Sequence, residues 1–157
     1  MVKDKQKIIL ELMEKQELML SEVYQIFAKK FPDYCDFWNE LSKEEKDHAS
    51  WIKGLFKFSE NGEVLFHEDN VNVYSLDTFI DYLKGIVDKA RMNGMSLRNA
   101  LSTARDLEMA LIEKKAFTHF DSVSDRMKTV LNTLEGKTKE HIDRVNEMVE
   151  KVKEETP

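Results

Sequence analysis

The sequence predicts an all-α fold: an antiparallel bundle of four long helices, with an extra helix in the crossover between the second and third. Three observations point there. Charged residues make up 34% and hydrophobic residues 41% of the 157 positions, with only 5 Gly and 2 Pro to make turns. Apolar residues recur at three- and four-residue steps through most of the chain. No linker or low-complexity tract divides it, so residues 1–157 read as a single domain.

Each element follows from that spacing. Residues 4–30 form a first helix with Ile8, Ile9, Leu12, Met13, Leu20, Tyr24 and Phe27 on its stripe. Phe31-Pro32-Asp33 ends it, because proline disfavours α conformation in the residue before it and suits the first turn of the next helix. A second helix runs over 33–58, with Tyr34, Trp38, Leu41, Glu45, His48, Ile52 and Leu55 as its seam. Residues 59–75 read as a loop turning at Asn61-Gly62, with a short extended piece. Ser75 is placed to cap a third helix ending near Asn93-Gly94. Ser96 caps a helix over 97–120, with His119 near its last carbonyls. The last helix covers 123–154, with Met127, Leu131, Leu134, Val145, Met148 and Val152 on one face and Gly136 interrupting it. The two helical pairs hint at an internal duplication in which His48 and His141 are equivalent.

Charge and cysteine usage narrow the function. A net charge of −6 argues against nucleic acid or an anionic membrane as the main partner. The single Cys35 builds neither a disulfide framework nor a thiolate metal site, and it fits a reduced, cytoplasmic setting. The N-terminus has no apolar run of signal-peptide or membrane-span length. No nucleophile motif or glycine-rich phosphate loop supports hydrolytic chemistry.

The informative residues are the polar ones inside the apolar stripes. Glu17 lies between Met13 and Leu20, Glu45 and His48 between Leu41 and Ile52, Glu108 between Ala104 and Leu111, and His141 between Leu134 and Val145. Positions spaced by three, four and seven share a helix face, so three carboxylates and two imidazoles point into one core. Burying such groups is costly unless something compensates them, and a cation does so economically. Carboxylate oxygen and imidazole nitrogen suit iron, manganese or zinc. One Glu from each of two helices plus a Glu-x-x-His from each of the other two makes the two-metal site of bundle proteins. Glu17 and Glu108 are the single acids, and Glu45-x-x-His48 is one complete motif. The motif ending at His141 has Thr138 where the Glu belongs. Glu135 and Glu140 lie roughly 60° and 160° from Thr138 around the helix and do not replace it.

"QELMLSEVYQIFAKKFPDYCDFWNELSKEEKDHASWI", "SLRNALSTARDLEMALIEKKAF" and "TLEGKTKEHIDRV" together resemble the rubrerythrin-like branch of the ferritin-like superfamily over roughly residues 8–150. The resemblance implies a four-helix bundle, often a homodimer, with a di-iron site that reduces peroxide or oxidises ferrous iron. It implies Glu17, Glu45, His48, Glu108 and His141 as metal ligands. The chain departs from the family at Thr138, at Leu111 where another acid is usual, and at Lys115, which places a cation toward the site. It has no cysteine-rich iron domain, so a separate protein must donate electrons. Two readings follow. One is a metal-binding protein, holding one or two irons in a partly degraded di-metal site and acting on peroxide, oxygen or ferrous iron. The other is a helical-bundle interaction module that has lost its metal.

Overall fold

The computed structural model describes residues Val2–Glu155, with side chains from Lys5 onward; Met1, Thr156 and Pro157, the ends of the expected 1–157 domain, lie outside them. Helix α1 spans Val2–Lys30, α2 Cys35–Lys53, the short α3 Phe56–Glu60, α4 Val73–Arg91, α5 Leu97–Ala110 and α6 Asp125–Glu155. The all-helical expectation holds. Among the described residues the only β pairing is an isolated antiparallel bridge between Val71 and Phe117. No described helix is long and apolar enough to cross a membrane.

Helix α1 packs along α2 and α4, and α5 packs along α6. The α1–α2 pair is antiparallel, and its register is visible in paired side chains. Ser21 Oγ donates to the carbonyl of Ser42 at 2.9 Å and Ser42 Oγ to that of Ser21 at 3.0 Å. One turn further along α1, Tyr24 lies with its ring 5.7 Å from that of Trp38. Small serines let the backbones approach closely there, and each buried hydroxyl finds a partner. This register puts Glu17 and Glu45 at one depth, as their 28-residue separation predicts.

The boundaries differ from expectation in four places. Helix α2 ends at Lys53 because the chain turns at Gly54, so residues 56–60 form a separate short helix. Asn72, not Ser75, caps α4: its side chain accepts the Ser75 N–H at 3.1 Å, which puts Ser75 inside the first turn. Within the expected 59–75 loop, Ser59 and Glu60 belong to α3 and Glu68–Asn70 form a 3-10 turn, while His67 and Val71 are extended as expected. Helix α5 stops at Ala110, ten residues before the expected 120. No glycine or proline marks that stop; tertiary pairing overrides helix propensity. The Asn72 N–H reaches the Ala116 carbonyl, the Thr118 N–H bonds the Asn70 carbonyl at 2.7 Å, and Ser124 N–H bonds the Leu65 carbonyl at 2.8 Å. His119 is therefore exposed at the start of the 3-10 turn Phe120–Ser122 rather than near the last carbonyls of α5. Ser96 caps α5 as expected, accepting the Asn99 N–H at 3.0 Å.

The buried apolar residues form two clusters. One holds Leu20, Tyr24, Trp38, Leu41, Leu107 and Val145; the other holds Met13, Ile52, Leu55, Met127, Leu131 and Leu134. Between them lie the polar positions of α1, α2, α5 and α6, so the core is divided by a polar layer. One expected stripe residue lies outside: Ile8 is 52% exposed. Gly136 does not break α6. A Cβ there meets nothing within 4 Å, so Gly136→Ala should stabilise the fold by about 0.5–1 kcal/mol, read as a raised denaturant midpoint at unchanged slope.

Candidate metal centre

The polar layer assembles the five residues singled out in the sequence. Glu17, Glu45, His48, Glu108 and His141 are all 0–1% exposed. Their ligand atoms fall into two groups, Glu17–Glu45–His48 and Glu45–Glu108–His141, each with its atoms within 4.8 Å of one another. Glu45 belongs to both. His48 Nδ1 lies 3.0 Å from Glu45 Oε2 and 3.8 Å from Glu17 Oε2. His141 Nδ1 lies 2.8 Å from Glu45 Oε1 and 3.1 Å from Glu108 Oε1. The imidazole rings stack with centroids 5.3 Å apart at 20°. The expected equivalence of His48 and His141 thus has a spatial counterpart.

Bonds between the helical pairs fix the layer. The Tyr24 hydroxyl of α1 donates to Glu108 Oε1 of α5 at 2.7 Å. At the outer edge Arg144 of α6 donates to Glu44 of α2 at 2.6 Å, and Glu44 Oε1 lies 3.7 Å from His141 Nε2.

Lys115 does not face the layer. With α5 ended at Ala110, the seven-residue relation to Glu108 no longer applies, and Lys115 is exposed. Glu45 and His48 pair with each other. Thr138 is half-buried and lines a cavity of about 260 Å³ together with the buried Glu108 and Glu113 and the exposed Lys115 and Lys139. This cavity joins the polar layer to the surface.

One buried acid had no signal in the sequence. Glu113 is 4% exposed, and its buried Oε1 has no hydrogen-bond partner. In a continuous helix it would point roughly 140° away from Glu108. Only the early end of α5 turns it inward.

Electrostatics follow from burial. Removal from water pushes Glu17 up to about 8, with Glu113 opposing, the nearby charge of Glu45 adding to it and His48 opposing. Burial likewise raises Glu45 to about 8, with Glu108 adding and His141 opposing. Glu113 is held well above the usual carboxylate range by burial and by Glu17. For His141 burial acts downward, but the hydrogen bond to Glu108, the close approach of Glu45 and the charge of both carry it to about 10. Several buried atoms have no hydrogen-bond partner: both carboxylate oxygens of Glu17, Glu45 Oε1 (close to His141 but off the hydrogen-bond direction), Glu108 Oε2, Glu113 Oε1 and His141 Nε2.

Compared with known protein families, with curated proteins and with solved structures, the chain matches none.

The donor set fits a cation. Buried polar atoms normally have partners, and here the orphans are concentrated in one layer. They are oxygens and a nitrogen of the type that hold first-row divalent metals. Their surroundings are apolar on both sides, which limits solvent access and sharpens charge interactions.

Proposed function

We propose that this chain is a divergent rubrerythrin-like member of the ferritin-like superfamily that binds iron in its polar layer. The observation that carries the reading is Glu45: a single buried carboxylate shared by two groups of potential ligands, each completed by its own glutamate and histidine. Glu17 and His48 would hold one ion, Glu108 and His141 the other, and Glu45 would contact both. Bound iron would supply a one-electron couple able to reduce peroxide or oxygen, or to be oxidised itself.

The chain's own residues set the conditions for that chemistry. The two apolar clusters exclude water above and below the layer. Tyr24 orients Glu108 by donating to Oε1 and leaves Oε2 without a protein partner. The cavity beside Glu108, Glu113 and Thr138, lined also by Lys115 and Lys139, has room for a small molecule. Protons held on Glu17 and Glu45 leave as a cation enters, so uptake weakens as pH falls below about 8.

Anaerobic loading of chelator-treated protein with ferrous iron, followed by elemental analysis, should give two ions per chain. Manganese and zinc serve as competitors. No uptake of any of the three would refute the reading.

One observation favours a second reading, a helical interaction module without metal. His141 lies against Glu108 and Glu45, and His48 against Glu45, so the imidazoles have internal partners. That reading leaves both oxygens of Glu17 unaccounted for.

A further inference from the structure

A two-ion site of this kind normally draws its fourth carboxylate from the helix that carries the second histidine, and Thr138 denies it that group. Helix α6 offers no substitute. Glu135 lies against Lys114 at 2.5 Å and Lys139 at 3.7 Å, and Glu140 pairs with Lys137 at 3.3 Å. All of these pairs are at the surface.

The layer nevertheless contains a fourth buried carboxyl. Helix α5 ends two residues after Glu108, and the following segment bends so that Glu113 enters the layer from the side where Thr138 lies. Both line the same cavity. Glu113 is buried beside Glu108 of the second ligand group on the wall of that cavity. Its Oε1 has no hydrogen-bond partner, and neither oxygen of Glu17 has one. No ion pair of the described residues involves Glu113, since its neighbour Lys114 is directed to Glu135. Carboxyl oxygens buried without a partner require something positive beside them, either a proton or a cation.

We infer that Glu113 is the missing fourth carboxylate: a metal ligand delivered by the α5–α6 connection in place of the one absent at Thr138. The ligand set is then Glu17, Glu45, Glu108 and Glu113 with His48 and His141. Four carboxylates neutralise two divalent ions, whereas three leave a net positive charge in an apolar core. On this account the site is rerouted, not degraded. The inference rests on the metal reading above, and its test separates the two.

The experiment titrates ferrous iron anaerobically, and cobalt(II) in parallel for its visible ligand-field bands, into wild type, Glu113→Gln, and Glu113→Gln combined with Thr138→Glu. Glutamine keeps the shape and removes the charge, and a cooperative thermal melt checks that each variant folds. Wild type should take up two ions. Glu113→Gln should lose one ion, or weaken its binding by at least about tenfold, and shift the cobalt bands. Returning a carboxylate at position 138 should restore the second ion. Unchanged stoichiometry, affinity and cobalt spectrum in Glu113→Gln would overturn the role of Glu113 while leaving the metal reading intact. No uptake by wild type would overturn both.

Discussion

Replacing Glu45 by alanine is expected to abolish metal uptake by the whole layer rather than by half of it. Glu45 is the only residue common to the two ligand groups. Its Oε2 faces His48 at 3.0 Å and its Oε1 faces His141 at 2.8 Å. Removing it takes one ligand and one negative charge from each ion position. The two ions then repel across a gap with nothing anionic between them, so loss at one position propagates to the other. Alanine at Glu108 should be milder, leaving the Glu17–Glu45–His48 group able to hold one ion. Melting separates a site effect from a folding effect. Without metal, Glu45→Ala removes a carboxyl that is costly to bury but opens a small void, so these terms oppose each other. With ferrous iron, wild type should melt higher in proportion to its affinity, and Glu45→Ala should show no such rise. Metal content equal to wild type in Glu45→Ala would refute the shared-ligand placement.

The stability of the metal-free protein should fall as pH rises from about 5 to 9, opposite to the usual behaviour of carboxylates in salt bridges. The sign follows from three buried groups. Glu17 and Glu45 move from 4.5 to about 8 on folding, so each contributes stability fully present below 4.5 and lost as pH rises through about 8. His141 moves from 6.5 to about 10, and its contribution is full below 6.5 and lost as pH rises through about 10. All three act in the same direction. At about 1.4 kcal/mol for each pH unit over which a group differs between folded and unfolded chains, the upper bound on the combined effect is on the order of 10 kcal/mol. A cation reverses the slope, because it binds the ionised carboxylates. The gap between metal-loaded and metal-free melting temperatures should therefore widen with pH. Melting curves at several pH values, with chelator and with ferrous iron, measure both slopes. A metal-free protein that gains stability from pH 5 to 9 would contradict the burial of ionisable groups described here.

The helices and five of the site residues were legible in the sequence for one reason. Glu17, Glu45, His48, Glu108 and His141 occupy stripe positions of long regular helices, where a three-and-four spacing fixes which way a side chain points. That rule holds only while the helix continues. It failed at Lys115 and Glu113 because α5 ends at Ala110, and what ends it lies in the segment Leu65–Asn72 rather than nearby in the chain. A local reading of "LIEKKAFTHF" finds good helix formers and no breaker. The same limit explains Ser75: Ser75 and Asn72 are both good caps, and sequence does not say which comes to lie outside the first turn. Tyr24 was identified as a core aromatic, but its bond to Glu108 joins residues 84 positions apart. Only packing of the two helical pairs reveals it.

The anchoring of the Leu111–Ser124 connection also sets an order of assembly. Its three backbone tethers all run to Leu65–Asn72, and the Thr118–Asn70 pair closes a separation of 48 residues. Contacts that distant in sequence form late, after the chain entropy of closing the intervening loop has been overcome. The α1–α2 hairpin needs only the short turn at Pro32 and by itself brings Glu17, Glu45 and His48 together. A growing chain thus presents half of its ligands while the remainder is still unfolded. The other half, with Glu113, comes into place only when the last two helices dock. If the layer binds metal as proposed, the second ion position would fill only once the whole chain has folded.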